Sequence, residues 1–297
     1  AREYVPDWLL PRTTIIAPGI DPLGHKNREL KPHKLVGILC DSRLSQAHAP
    51  VLTPPFGEPA RRLRPDGRFT EAAEPDEIGL LYRPILTQIS RWDRLKGFLP
   101  LLSGFVELKR RARTGERPAR DRRRLEIARL VLAGPDPGGV ADDPEARAVL
   151  EELGAAWRAL EPPIRDDIAL VTLPMGSRKE NALMVNALQR SSVVVIQNSL
   201  REGFGLTATE AMWKGVAVLA SCATGLRLQV RDQLDGRLVR DPLDAAELAR
   251  TLDEMLSAPH RRAAWGRSGQ RRVLDEFLVF SQAMKWLRVF AETAARR

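Results

Sequence analysis

Two glutamates, Glu202 and Glu210, stand eight positions apart in the stretch "REGFGLTATE". A Gly-Phe-Gly turn, Gly203 to Gly205, follows the first of them. Glycines let a backbone adopt unusual torsions and approach a ligand closely. The helix expected to start near Leu206 would aim free N–H groups, and the positive end of its dipole, at the turn, which makes an anion site. Arg91 and Lys96, in "QISRWDRLKG", would add full positive charges. Two cations and a helix N-terminus suit a diphosphate. A carboxylate can accept from two neighbouring hydroxyls at once, so Glu202 and Glu210 would hold diols on either side. The spacing fits a nucleotide-sugar.

Blander readings stand beside this one. Thr207-x-x-Glu210 also has the form of a capping box, in which Glu210 only completes a helix start. Glu202 can be an ordinary loop acid, and Arg91 and Lys96 ordinary surface charges. A lone Gly-x-Gly carries little weight. Only the joint placement of these residues after successive strands favours a site.

That placement rests on the pattern of elements. Apolar runs of strand length occur at Pro84–Ser90, Leu125–Gly134, Asp167–Leu173, Val193–Gln197 and Val216–Ser221. Helical patterns lie between them, at Leu95–Arg111, Pro144–Leu160, Lys179–Gln189 and Leu206–Lys214. Strands alternating with helices argue for an α/β fold: a Rossmann-like parallel sheet with helices on both faces. Right-handed crossovers place every strand's C-terminal end on one edge, where ligands sit. "TTIIAPGID" (Thr13–Asp21) is expected to be a further strand, Asn27–Leu39 a helix, and the tail from Asp244 two or three amphipathic helices. Asp41–Glu77, rich in Pro, Gly and charge, reads as a mobile insertion or linker.

The totals set outer bounds. The chain has 297 residues, an ordinary hydrophobic share and a net charge of +9. A basic balance favours anionic partners without choosing among them. Arg110–Arg124, "RRARTGERPARDRRR", is unusually basic, but it lacks aromatics for single-strand stacking. It reads as a solvated helix end and loop, and nucleic acid is not an expected partner. Cys40 and Cys222 are in no metal or redox spacing, which suggests free thiols in a reducing, cytoplasmic compartment. The four histidines have no metal spacing, and no Asp-x-Asp occurs. No apolar run is long enough to span a bilayer.

"REGFGLTATEAMWKG" resembles the donor-binding motif of retaining glycosyltransferases with the GT-B fold, the glycogen-synthase-like group. "QISRWDRLKG" resembles their SR-x-x-x-x-KG segment, "IIAPGIDPLGHKN" the segment joining their two halves, and "DGRLVRD" a later turn. The likeness is greatest to the trehalose synthases. It covers Ile15–Asn27 and about Pro84–Arg296. One departure is Thr224-Gly225, where the family usually carries Gly-Gly.

The resemblance implies that Glu202 contacts the donor hexose and that Gly203, Phe204 and Gly205 approach it by backbone. Leu206 and Thr207 would offer N–H groups to the distal phosphate, and Glu210 would hold the ribose hydroxyls. Arg91 and Lys96 would bind the diphosphate. Transfer would retain the anomeric configuration and need no metal or other cofactor; the donor would be UDP-, ADP- or GDP-glucose. The domains expected are a remnant of the N-terminal half with its linker (1–27), a helix with a Pro/Arg-rich insertion (28–83) and a nucleotide-sugar-binding domain (84–297). Expected partners are the nucleotide-sugar, a sugar acceptor and an acceptor-binding half lying before this chain; a homodimer is left open. A trehalose phosphorylase-like enzyme, or a non-catalytic nucleotide-binding module, is the alternative.

Overall fold

The apolar runs fall into strands of one eight-stranded sheet. The structure, a computed structural model, describes residues 5–46, 55–74, 77–114, 118–139 and 144–295. Its strands are β1 (Arg61–Leu63), β2 (Phe69–Thr70), β3 (Ile85–Ile89), β4 (Arg129–Pro135), β5 (Ile168–Leu173), β6 (Val194–Gln197), β7 (Ala217–Ser221) and β8 (Gly236–Val239). Its helices begin with α1 (Pro32–Asp41), α2 (Phe98–Thr114), α3 (Ala119–Ile127), α4 (Pro144–Arg158) and α5 (Pro162–Arg165). They continue with α6 (Arg178–Arg190), α7 (Leu206–Trp213), α8 (Thr224–Arg227), α9 (Ala245–Ser257), α10 (Pro259–Glu276) and α11 (Val279–Ala295).

The strand order is β2-β1-β5-β4-β3-β6-β7-β8, parallel from β5 to β8. Every residue of β3 is buried, as expected of a strand covered on both faces. Its side chains alternate between two layers: Leu86 joins Trp92, Phe105 and Leu132 on one face, Ile85 and Ile89 join Val131 and Met184 on the other. A third apolar cluster lies under α7 and α10, around Met212, Leu226 and Val273.

Four expectations need correction. The sheet is mixed, because β1 and β2 form an antiparallel hairpin that pairs with β5. That hairpin comes from the segment read as a structureless insertion, of which 47–54 and 75–76 lie outside the described residues. Thr13–Asp21 is not a strand; it makes one isolated bridge, Ile20 to Leu278, and its apolar residues pack on the junction between α10 and α11. In the basic run, Ala119–Arg124 belongs to α3, while 115–117 lie outside the described residues. Two boundaries also move: α1 starts at Pro32, whose fixed φ suits the first helical turn, and α2 starts only after Gly97.

The order places the point of divergence between β3 and β6. The chain leaves β3 toward β4 on one side and β6 toward β7 on the other. The loops after these two strands therefore open a crevice at the C-terminal edge, the ligand position of doubly wound sheets.

Candidate functional site

The crevice is built by buried polar side chains that tie the two loops together. Gln88, in β3, donates from Nε2 to the Lys96 carbonyl (2.7 Å) and accepts from the Asn198 N–H (3.0 Å). Asn198 Nδ2 donates to the carbonyls of Gly97 (3.2 Å) and Pro242 (2.9 Å). Gln197 Nε2 donates to Ser90 Oγ (3.0 Å), and the Leu200 N–H to the Leu95 carbonyl (2.7 Å). Gly97 sits at φ +63°, and a Cβ there would lie 2.2 Å from the Asn198 carbonyl oxygen. Only glycine lets the loops come this close.

The first loop, Ser90–Gly97, is anchored by Trp92. Its indole is buried against Phe98 and donates from Nε1 to the Pro135 carbonyl (2.7 Å). Asp93 caps the short turn that follows, accepting from the Leu95 N–H. This leaves Arg91 pointing into solvent at the mouth and Lys96 turned inward. The second loop runs from Asn198 to Gly205. Its Glu202 carbonyl accepts from the Gly225 N–H (3.0 Å). Gln229 fastens the same loop to α8, donating to the carbonyls of Phe204 and Gly225. A Cβ on Gly225 would lie 2.5 Å from Phe204, so the Thr224-Gly225 pair keeps its close approach at its second residue.

An open cleft of ≈ 1080 Å³ results, lined by Arg91, Lys96, Glu202 and Gly203 among others. Arg201, Arg227 and Arg240 also face it, against the acids Asp93 and Glu202, so its field favours anions. Lys96 Nζ lies 2.7 Å from Glu202 Oε2, and Ser199 Oγ is 3.3 Å from the same oxygen. Cys222 lines the cleft too; burial pushes its thiol pKa up, with Glu247 and Asp232 adding to the rise.

The remaining expected residues do not line this cleft. Phe204 packs edge-on against Phe277, with ring centroids 5.8 Å apart. Gly205, at φ +89°, is the N-cap of α7, with Leu206 and Thr207 in its first turn. The Ala208 N–H bonds back to the Gly205 carbonyl (3.0 Å), while those of Leu206 and Thr207 come too early in the helix for an intrahelical acceptor. The capping box is absent, because the N-cap is Gly205, two residues before Thr207, and no side chain caps the helix. Glu210 is buried one turn further on, with Oε1 3.2 Å from Lys26 Nζ. The residues that the motifs did not reveal are Gln88, Asn198, Gln229 and Lys26. For the first two the signal is a polar residue inside or just after an apolar strand.

Residues 176–272, which hold the second loop, α7 and α8, match the family of glycosyl transferases group 1. The matched stretch lies on a Rossmann-like unit of the GT-B fold. Over 294 residues, 96% of this chain, it is 29% identical to a trehalose synthase from Pyrococcus horikoshii and spans 55% of that protein. A trehalose phosphorylase from Grifola frondosa is 25% identical over 71% of this chain and 27% of its own length. In fold the chain is similar to a glycosyltransferase from Rickettsia africae, with a TM-score of 0.61 at 18% identity, over 94% of this chain and 56% of that one. The chain thus spans about half the length of the trehalose synthase and of the Rickettsia glycosyltransferase, and about a quarter of the phosphorylase. Among the described residues no helix is long and apolar enough to cross a membrane.

Proposed function

We propose that this chain binds the donor of a retaining hexosyl transfer, a nucleotide-activated glucose, as in trehalose synthesis. The observation that carries the reading is the cleft at the divergence of β3 and β6, where Arg91, Lys96, Glu202 and Gly203 meet. Arg91 and Lys96 would neutralise the diphosphate and the charge that develops as it leaves. Stabilising such charge with fixed donors is usually the largest catalytic contribution. Glu202 would accept from hexose hydroxyls, the first turn of α7 would receive the distal phosphate, and Glu210 would hold the ribose. In the reaction the bond from the hexose C1 to the phosphate oxygen breaks and a bond from C1 to the acceptor hydroxyl oxygen forms. The acceptor proton passes to the leaving phosphate on the same face, so configuration is kept. Nucleoside diphosphate is the other product, and no step calls for a metal. The acceptor would be a sugar, bound by a half of the enzyme not contained in this sequence.

The likeness to a trehalose phosphorylase supports a second reading, in which inorganic phosphate takes the place of the nucleotide. Calorimetric titration of the chain separates the two, using the diphosphates of uridine, adenosine and guanosine in low salt without metal. Saturable binding of one of them is expected. Binding of inorganic phosphate or glucose 1-phosphate alone would transfer the assignment to the phosphorylase reading, and no binding of any would refute both.

A further inference from the structure

The segment "GHKNR", Gly24–Arg28, precedes α1 and is remote in sequence from the donor motif, yet it is fastened beside α7. Asn27 is buried and donates to the Asp21 carbonyl (3.0 Å). Its own carbonyl accepts from Trp213 Nε1 (3.2 Å), and its Oδ1 from Lys214 Nζ (3.2 Å). Asn186 Nδ2 holds the His25 and Arg28 carbonyls at 3.0 and 2.9 Å. Five bonds on either side of Lys26 thus fix its backbone, and its ammonium reaches Glu210 Oε1 at 3.2 Å.

Glu210 needs that ammonium. Its side chain is only 5% exposed, and its second oxygen, Oε2, has no hydrogen-bond partner. A buried charge is costly unless it is paired. Lys214 is the other cation nearby, bonded to the Glu210 main-chain carbonyl at 3.1 Å. Burial drives its pKa down to about 7, against the upward pull of Glu210, so near neutrality it is charged only part of the time. Lys26, half exposed to water, is left to balance the charge.

We propose that Lys26 is a positioning residue for the donor site: it holds the Glu210 carboxylate in one orientation, with an acceptor to spare for ribose hydroxyls. This rests on the reading of Glu210 as the ribose ligand. It adds to that site a lysine from outside the domain that carries the motif.

The test titrates the full chain and its Lys26→Met and Lys26→Arg variants with two probes. One is whichever of the uridine, adenosine or guanosine diphosphates the unsubstituted chain binds; the other is its 2′-deoxy counterpart. The unsubstituted chain should prefer the ribose form by about 10-fold or more, as for a hydrogen bond to a charged group. Lys26→Met should weaken the ribose form by about 5- to 10-fold and the deoxy form less than about 2-fold; Lys26→Arg should restore most of the loss. Equal losses with both probes, or no loss, overturn the proposal, a melting curve having shown that the variant folds. A distinct failure is an unsubstituted chain that binds both forms equally. Glu210 then does not hold the ribose, and the proposal falls with that reading.

Discussion

Replacing Glu202 with glutamine should tighten the binding of a nucleoside diphosphate. In the cleft Lys96 Nζ is bonded to Glu202 Oε2 at 2.7 Å, and both side chains are about 15% exposed, at 14% and 15%. A hydrogen bond between charged groups contributes about 1.5–3 kcal/mol. Partial access of water reduces that to about 1–2 kcal/mol here. Lys96 must give up this contact when it turns to a phosphate. Glutamine keeps the shape and removes the competing charge, so affinity for the diphosphate should rise about 5- to 30-fold, at 1.4 kcal/mol per tenfold. The gain should be smaller for the matching nucleotide-glucose, because the amide is a weaker acceptor for the hexose hydroxyls. The ratio of the two affinities therefore falls in the variant. Calorimetry in low salt, with and without the hexose on the nucleotide, reads both numbers. Unchanged or weaker diphosphate binding by the variant would show that Lys96 does not serve the diphosphate, and the assignment of the cleft would fail.

Gly97→Ala should destabilise the chain by about 2–5 kcal/mol, since a left-handed alanine costs about 1–2 kcal/mol and a Cβ pressed on the Asn198 carbonyl about 1–3 more; a melting temperature within about 1 °C of the unsubstituted chain would refute the packing account. Lys214, down to about 7 in the fold from an ordinary 10.5, holds one proton fewer folded than unfolded between those two pH values. Its contribution therefore makes stability rise with pH through that window, and below about pH 7 the charged, buried lysine is a full penalty. Lys214→Met removes this dependence, so urea denaturation at pH 6 to 10 should show the unsubstituted chain gaining on the variant by a few kcal/mol, about 1.4 per pH unit; parallel curves would show that Lys214 stays charged in the fold. Lys109, lowered to about 8 by burial against the pull of Asp167, is present in both chains and cancels.

The central strands were legible because each is an apolar run of the right length between helical patterns, and burial on both faces leaves no alternation to blur them. The ends of the sheet were not. Arg61–Leu63 and Phe69–Thr70 are short, charged or half exposed, and they become strands only because β5 offers an unpaired edge. Gly236–Val239 is equally short and half exposed, and it is a strand because β7 pairs with it. Thr13–Asp21 failed in the opposite sense. It has a strand's composition, but no strand lies beside it, and Pro18-Gly19 passes against the backbone of Leu278 and Val279 instead.

The site was legible as positions and not as pairings. The rule that ligands sit after the strands of a doubly wound sheet placed Arg91, Lys96, Glu202 and Gly203 at one cleft, and all four line it. Nothing in the spacing indicated that a left-handed Gly205 starts α7 two residues before Thr207, which dissolves the capping box. Nor could it show which side chains the two glutamates meet. Each holds a lysine from elsewhere in the chain, Glu202 that of Lys96 and Glu210 that of Lys26. An enclosed carboxylate beside a phosphate site would repel its ligand and be costly to keep charged. Paired with a lysine, it is neutralised until a ligand arrives. On the proposed reading, the lysine at Glu202 would then gain a new partner in the phosphate, which would release the carboxylate for hydroxyls. At Glu210 the lysine has no phosphate assigned to it and stays. The two pairs, similar at rest, should therefore respond oppositely to loss of one partner: neutralising Glu202 frees a cation the ligand needs, whereas neutralising Lys26 disables the carboxylate the ligand needs.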